Sequence, residues 1–354
     1  MNELEKLDSI EEIRKVDPEG LIGVLASLPE ELAKASEISA QTKLSLPKKV
    51  RAVYILGMGG SGVAGLLLKS ALADSLSLPV ELIKTYSPPE SLTKNDLLIA
   101  VSYSGNTGEI LNTVKIAERK KIPMVFVSSG GKLAQLASQK KISCIEIPGG
   151  YQPRAAAGLL LVPLLYIFEK LGEASSLNNN LEEAITILKT MQAELDPSVP
   201  FRQNEAKKMA GRIINTFPLI YGTAFTYPAA YRFKCQLNEN AKMLAHAGEM
   251  PEVNHNEIEG LYDLKRGAHN FSVTFLRCDK DDERVKRQVE ITKSLVGAQV
   301  GGVIEVFSRG KSKLAQILSL VYLGDMASAY TAVLRGTHPS SIKAIQKLKK
   351  ELSR

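Results

Sequence analysis

The chain has 354 residues, 44% of them hydrophobic and 23% charged, which is an ordinary globular composition and too long for one compact core, so two domains are expected. Its formal charge of +7 comes from dispersed lysines and arginines, and with 6% aromatic residues and no Trp it offers no stacking platform; the field suits a small anionic substrate and no nucleic acid. Cys144, Cys235 and Cys278 stand far apart with no CxxC pair, which argues against a disulfide framework or zinc ribbon and for a reducing, cytoplasmic compartment.

Residues 1–45 alternate charged and apolar positions at helical spacing and read as an N-terminal helical extension; with charges from the outset, no secretory signal is expected. From Val53 the pattern changes. The run Val53–Gly57 reads as a buried strand ending in a glycine turn, with a helix over Val63–Ala73 behind it. Further short apolar runs follow at Val80–Ile83, Leu97–Ser102, Met124–Ser129 and Cys144–Pro148, most of them separated by helical patterns. Such alternation builds a doubly wound parallel sheet with helices on both faces, and its ligands bind outside the carboxyl ends of the strands. After Pro153 a helix is expected to about Leu171; its apolar core Leu159–Phe168 contains Pro163 and is too short for a bilayer, so no membrane span is expected. The stretch Glu173–Asn180 reads as a linker. Helices are expected over Leu181–Leu195 and Phe201–Ile214, strands at Pro218–Thr223, Phe271–Arg277 and Val303–Ser308, and a lysine-rich amphipathic helix over Ser341–Leu352. The expected fold is therefore α/β, with domains at 46–175 and 181–354 after the 1–45 extension.

Two loops carry the chemistry of the first half. Ser102, Ser104 and Thr107 crowd three hydroxyls around Gly105 and Asn106, between an apolar strand and a helix. One hydroxyl suffices to cap a helix. Three of them, with backbone N–H groups and the positive end of the helix dipole, make a site for an anion such as a phosphate monoester. Gly57, Gly59 and Gly62 satisfy GxGxxG in a strand–turn–helix context. A dinucleotide fold also needs an acidic residue closing the second strand, but Lys84 and Thr85 stand there, and Ser61 adds a hydroxyl suited to a sugar or phosphate.

Candidate acid–base groups lie in the second half. Glu239, between two asparagines, is expected at the start of a helix with apolar spacing at Ala241, Leu244 and Ala245; a solvent-facing glutamate is the plain alternative. His255 also sits between asparagines, where a structural or exposed histidine is the plain alternative, while His246, His269 and His338 have weaker contexts. No histidine pair has metal-ligand spacing with an acid, so no metal is expected. Arg154 follows Pro153 at a helix start, where a cation opposes the dipole unless it serves an anion; otherwise it is an arginine reaching into solvent.

Taken in order, GMGGSG, SYSGNT, PRAA, NENAK and NHNE resemble the motifs of the bifunctional phosphoglucose/phosphomannose isomerases, which consist of two sugar isomerase (SIS) domains and lie within the phosphoglucose isomerase superfamily. The resemblance runs from about Val53 to the C-terminus. SYSGNT alone would indicate only a SIS domain, which sugar-responsive regulators also carry, so a non-catalytic sugar-phosphate sensor is the alternative function. The resemblance implies two SIS-type doubly wound domains and an aldose–ketose isomerase acting on fructose, glucose and mannose 6-phosphates without metal or redox cofactor. It implies that Gly59, Gly60 and Ser61 line the sugar site and that Ser102, Ser104 and Thr107 bind the phosphate. Arg154 would stabilise an enediolate, Glu239 would move the proton between C1 and C2, and Lys349 would contact the ring oxygen. His255 would assist ring opening from the other subunit of a homodimer.

Overall fold

The computed structural model describes residues 3–264 and 270–352. The chain forms two compact units, one made of Ser27–Leu188 with Gly310–Ile317, the other of Met1–Ala26, Lys189–Arg309 and Leu318–Arg354. The first 45 residues are thereby divided. A 3₁₀ turn Glu3–Asp8, α1 (Ile10–Val16) and α2 (Leu21–Ala26) belong with the second half, and α3 (Leu28–Gln41) with the first. Asp8 anchors that opening turn: its Oδ1 accepts the Phe201 N–H at 2.6 Å and lies 3.3 Å from Nζ of Lys207, which is wholly buried.

The unit around the first sheet contains β1 (Val53–Gly57), α4 (Gly59–Ala71), β2 (Val80–Ile83), β3 (Leu97–Ser102), α5 (Gly108–Arg119), β4 (Met124–Ser128), α6 (Gly131–Lys140), β5 (Ser143–Glu146) and α7 (Ala157–Lys170). The strands are parallel in the order β2-β1-β3-β4-β5. Every residue of β1 and β3 is buried, as strands covered on both faces must be, and their apolar runs follow from that. Because β1 lies between β2 and β3, the chain reverses its direction of winding between β1 and β3, and a crevice opens beyond their carboxyl ends. At the opposite ends of the same strands Arg51 and Asp96 pair through Nε at 2.9 Å and Nη2 at 2.8 Å. Helix α7 is buried along most of its length and keeps Pro163 inside it. Gly158 lets α3 approach α7: a Cβ there would stand 2.9 Å from Cβ of Glu31, whose carboxylate accepts the Gly158 N–H at 3.0 Å.

Helix α8 (Leu177–Glu194) leads on to the second half. There follow α9 (Glu205–Ile213), β6 (Phe217–Thr223), α10 (Tyr227–Glu239), β7 (His246–Met250), a 3₁₀ turn Glu252–His255, α11 (Glu257–Tyr262), β8 (Phe271–Arg277), α12 (Glu283–Val296), β9 (Gly302–Phe307), α13 (Lys313–Leu334) and α14 (Lys343–Leu352). The second sheet is parallel, in the order β7-β6-β8-β9, which repeats the winding of the first without its last strand. Leu219, Tyr221, Val273 and Phe275 form its core on one face. Beyond the carboxyl ends of β6 and β8 the chain hydrogen-bonds to itself. Asp281 accepts the Thr223 hydroxyl at 2.8 Å and the Cys278 N–H at 2.9 Å, and the Thr226 hydroxyl donates to the Leu276 carbonyl at 2.7 Å. Helix α13 is long and apolar enough to cross a bilayer by length and composition, but its apolar stretch is entirely buried, which is the condition of a core helix.

Candidate active site

The crevice of the first sheet is built by two loops that leave the strands at one level, since Gly57 is in register with Val101. The loops touch: the Tyr103 N–H donates to Ser61 Oγ at 3.2 Å. Ser102 Oγ lies 3.1 Å from Thr107 Oγ1, and the Asn106 N–H donates to Ser104 Oγ at 3.3 Å. Thr107 precedes α5 without a side-chain capping bond, so its hydroxyl is not spent on the helix. Ser61 and Ser104 each accept from a backbone N–H, which leaves their protons to be donated. The loop is held rigidly from below. Gly105 has φ 64°, and a Cβ there would lie 1.8 Å from the Gly130 carbonyl oxygen, so only glycine fits. The Ser129 hydroxyl donates to the Tyr103 carbonyl at 2.6 Å, and Asn106 Oδ1 accepts the Lys132 N–H at 3.1 Å. Hydroxyl donors above the first turn of α5 suit a phosphate monoester.

Gly60 brings a third segment to this crevice. A Cβ on Gly60 would meet the Pro153 carbonyl oxygen at 2.6 Å and Cα of Arg154 at 3.2 Å, so the absence of a side chain lets the 3₁₀ turn Pro153–Ala155 lie directly against the loop. Arg154 is 4% exposed there, not reaching into solvent; it stands in that turn, and α7 begins only at Ala157. Two residues missed by sequence reasoning join the cluster. Lys84, which stands where a dinucleotide fold would need an acid, passes its Cε 3.6 Å from the place of a Cβ on Gly62, adding positive charge at the glycine loop. Gln152, the residue that precedes the Pro153–Ala155 turn, buries Oε1 with no hydrogen-bond partner. The signal for Lys84 is the departure from the dinucleotide pattern; Gln152 gives none. Burial raises the Tyr103 phenol above its usual value, and it stays neutral while donating to the Pro148 carbonyl at 3.0 Å.

Glu239, His255 and Lys349 belong to the other unit. Glu239 is the last residue of α10, not the first of a helix: Lys242 turns the chain at φ 51°, and the N–H groups of Ala241 and Met243 both return to the Leu237 carbonyl at 3.1 Å. The apolar residues that suggest a continuing helix lead instead to edge strand β7. Glu239 is half-buried, and its charge helps raise the neighbouring Cys235 thiol, after burial of that thiol. His255 ends the 3₁₀ turn after β7 and is exposed. The turn is followed by a cluster the sequence did not indicate, in which Glu257 accepts the Tyr221 hydroxyl at 2.9 Å and lies 3.0 Å from His246 Nε2. Lys349 is exposed in the last turn of α14, a helix with no buried residue. His269 lies outside the described residues. Among the described residues no group of three His, Cys, Asp or Glu side chains is placed to hold a metal ion.

Two sheets of the same winding, one with a hydroxyl-lined loop at a helix N-terminus, define a double SIS-domain protein. The SIS domain profile matches residues 48–147, and that of the bacterial phospho-glucose isomerase C-terminal SIS domain matches residues 202–352. The chain is 36% identical to the bifunctional phosphoglucose/phosphomannose isomerase of Caldicellulosiruptor bescii, over 92% of this chain and 97% of that protein. It belongs to the bifunctional phosphoglucose/phosphomannose isomerase family. It is also 30% identical to the D-glucosamine-6-phosphate 4-epimerase of Sulfolobus acidocaldarius, over 85% of this chain and 89% of that one. Among solved structures, a hypothetical protein of Thermus thermophilus has the same fold, with a TM-score of 0.75 at 17% identity over 99% of this chain and 94% of that one.

Proposed function

We propose that the protein is an aldose–ketose isomerase that interconverts fructose 6-phosphate with glucose 6-phosphate and mannose 6-phosphate. The observation that carries this reading is the buried Arg154, seated by Gly60 against the glycine loop, where Ser61 accepts a backbone N–H and keeps its own proton to donate. In this reading Ser102, Ser104 and Thr107 hold the phosphate, and Gly59, Gly60 and Ser61 line the sugar. Glu239 moves the proton between C1 and C2, and Arg154 stabilises the negative charge of the enediolate. Lys349 contacts the ring oxygen, and His255 opens the ring. The two aldoses differ only at C2 and give the same C1–C2 enediol, so one base serves both epimers. The exposure of His255 favours its acting across the interface of a homodimer. The free cysteines fit a cytoplasmic enzyme.

The deciding assay gives purified protein fructose 6-phosphate, with and without EDTA, and follows both aldose products. Both products, unaffected by EDTA, are expected. Glucose 6-phosphate alone would narrow the reading, and neither product would leave a binding protein. The similarity to the 4-epimerase favours a second substrate worth a parallel assay, glucosamine 6-phosphate, with its 4-epimer as the product sought. Glu239→Gln is expected to abolish turnover while substrate still binds; a Gln variant at wild-type rate would remove Glu239 from the mechanism. The shared site is tested by mixing two inactive variants, Glu239→Gln and His255→Ala. If His255 acts in trans, half the mixed population is heterodimeric with one intact site each, and about one quarter of wild-type activity returns. No recovery in a mixture that has exchanged subunits would place His255 in its own subunit's site.

A further inference from the structure

In the motif Asn238–Lys242 the proposed chemistry uses Glu239 and leaves Lys242 without a role. Lys242 stands three residues beyond the base at φ 51°, in the left-handed region where glycine is the usual residue after a helix. Its ammonium lies within hydrogen-bond distance of four backbone carbonyls. Two, Glu239 at 3.0 Å and Asn240 at 3.2 Å, end α10; the others, His338 at 2.6 Å and Pro339 at 3.2 Å, belong to the segment joining α13 to α14. The first pair are carbonyls that a helix end leaves without intrahelical partners, and a cation there also meets the negative end of the helix dipole.

The neighbouring face of α10 is fixed as well. Asn240 Nδ2 donates to Ser328 Oγ of α13 at 2.9 Å, and Arg232 pairs with the buried Asp325 of α13 through Nη2 at 2.6 Å and Nε at 2.9 Å. The last turn of α10 is thus held along its side by α13 and at its tip by Lys242. Glycine at 242 would relieve the backbone but leave the four carbonyls without the ammonium, so the choice of lysine points to the ammonium.

We infer that Lys242 is a positioning residue for catalysis: it ties the end of the helix that carries Glu239 to the segment that starts the helix carrying Lys349, fixing the base and the ring-oxygen lysine in one arrangement. This rests on the roles proposed above for those two residues. Lys242→Gly suits the positive φ, and its melting temperature is expected to stay near that of the wild type. Its kcat is expected to fall by roughly 10- to 100-fold with KM within about twofold, since small misplacement of a reacting group costs that much. Lys242→Arg, which restores a cation with several donors, recovers most of that loss.

Limited trypsin digestion gives a readout independent of turnover. Cleavage at Arg335 and Lys343, which flank the tethered segment, is expected to be faster in Lys242→Gly. Wild-type kcat and cleavage in that variant overturn the inference, as does a fall in kcat that tracks a fall in melting temperature and is not rescued by Arg. Glu239→Gln run alongside separates the two readings. If it is active, the base assignment fails and the inference with it; if it is inactive while Lys242→Gly is unimpaired, only the tether fails.

Discussion

At Gly60 a single missing methyl group decides where Arg154 lies. An alanine there would push against the Pro153 carbonyl at 2.6 Å, and backbone cannot yield as a flexible side chain can. Gly60→Ala is therefore expected to lower kcat by about 10²-fold through displacement of the arginine. Gly59→Ala is the control: φ there is 53°, so it strains the backbone, but a Cβ would meet nothing within 4 Å and Arg154 keeps its seat. Steady-state kinetics of the two variants check this; equal losses would mean that loop conformation, not the approach of the arginine, sets the rate. The sequence shows GxGxxG at this point, and the missing acid after the second strand already argues against a dinucleotide loop. The reason for Gly60 is its contact with Pro153, far along the chain, which no local pattern contains. The hydroxyl loop is legible because its donors lie close together in the chain. Lys242 is not, because its four carbonyl partners are backbone atoms that any residue type would supply.

Elements that are buried on both faces are the easiest to read. Strands β1, β3 and β4 appear in the sequence as unbroken apolar runs because they are buried, as the strands of a parallel sheet covered by helices on both faces are. Strand β7 escapes for the complementary reason: as an edge strand it is only partly buried and reads His-Ala-Gly-Glu-Met, with no apolar run to mark it. The end of α10 is misread because apolar residues continue at helical spacing past Glu239, while a positive φ at one lysine stops the helix. The opening 3₁₀ turn makes a prediction of its own. Lys207 is fully buried, and its ammonium is satisfied by Asp8 and by the Pro197 and Val199 carbonyls at 2.8 and 2.7 Å. Asp8→Ala removes the carboxylate that bonds to that charge and is expected to cost about 1–2 kcal/mol in urea unfolding at neutral pH. Burial holds the Lys207 pKa below the usual lysine value, so folding disfavours its charged form. Without Asp8 the folded pKa falls further, so the deficit is full at neutral pH while Lys207 is charged in both folded proteins and shrinks as pH rises from the variant's folded pKa to that of the wild type. A variant as stable as the wild type at neutral pH would show that the carbonyls alone suffice.

For the whole molecule, the repeated winding of the two sheets is legible only as a succession of strands and helices in each half; which strands sit at the centre is set by pairing, which the sequence pattern does not encode. The carboxylate of Asp281 gives that repetition a further meaning. In the second sheet the place beyond the two central strands is held by an anion that the chain itself supplies, bonded to a threonine hydroxyl and a backbone N–H. A duplicated architecture would ordinarily offer two equivalent berths for a phosphate, but here Asp281 bonds to the hydroxyl and N–H that a phosphate would need at the second. Calorimetric titration of Glu239→Gln with fructose 6-phosphate is accordingly expected to saturate at one sugar phosphate per chain, and a second equivalent would mean that Asp281 gives way. In the mechanism proposed above, the second copy of the fold then supplies acid–base groups to a substrate whose phosphate is held by the first.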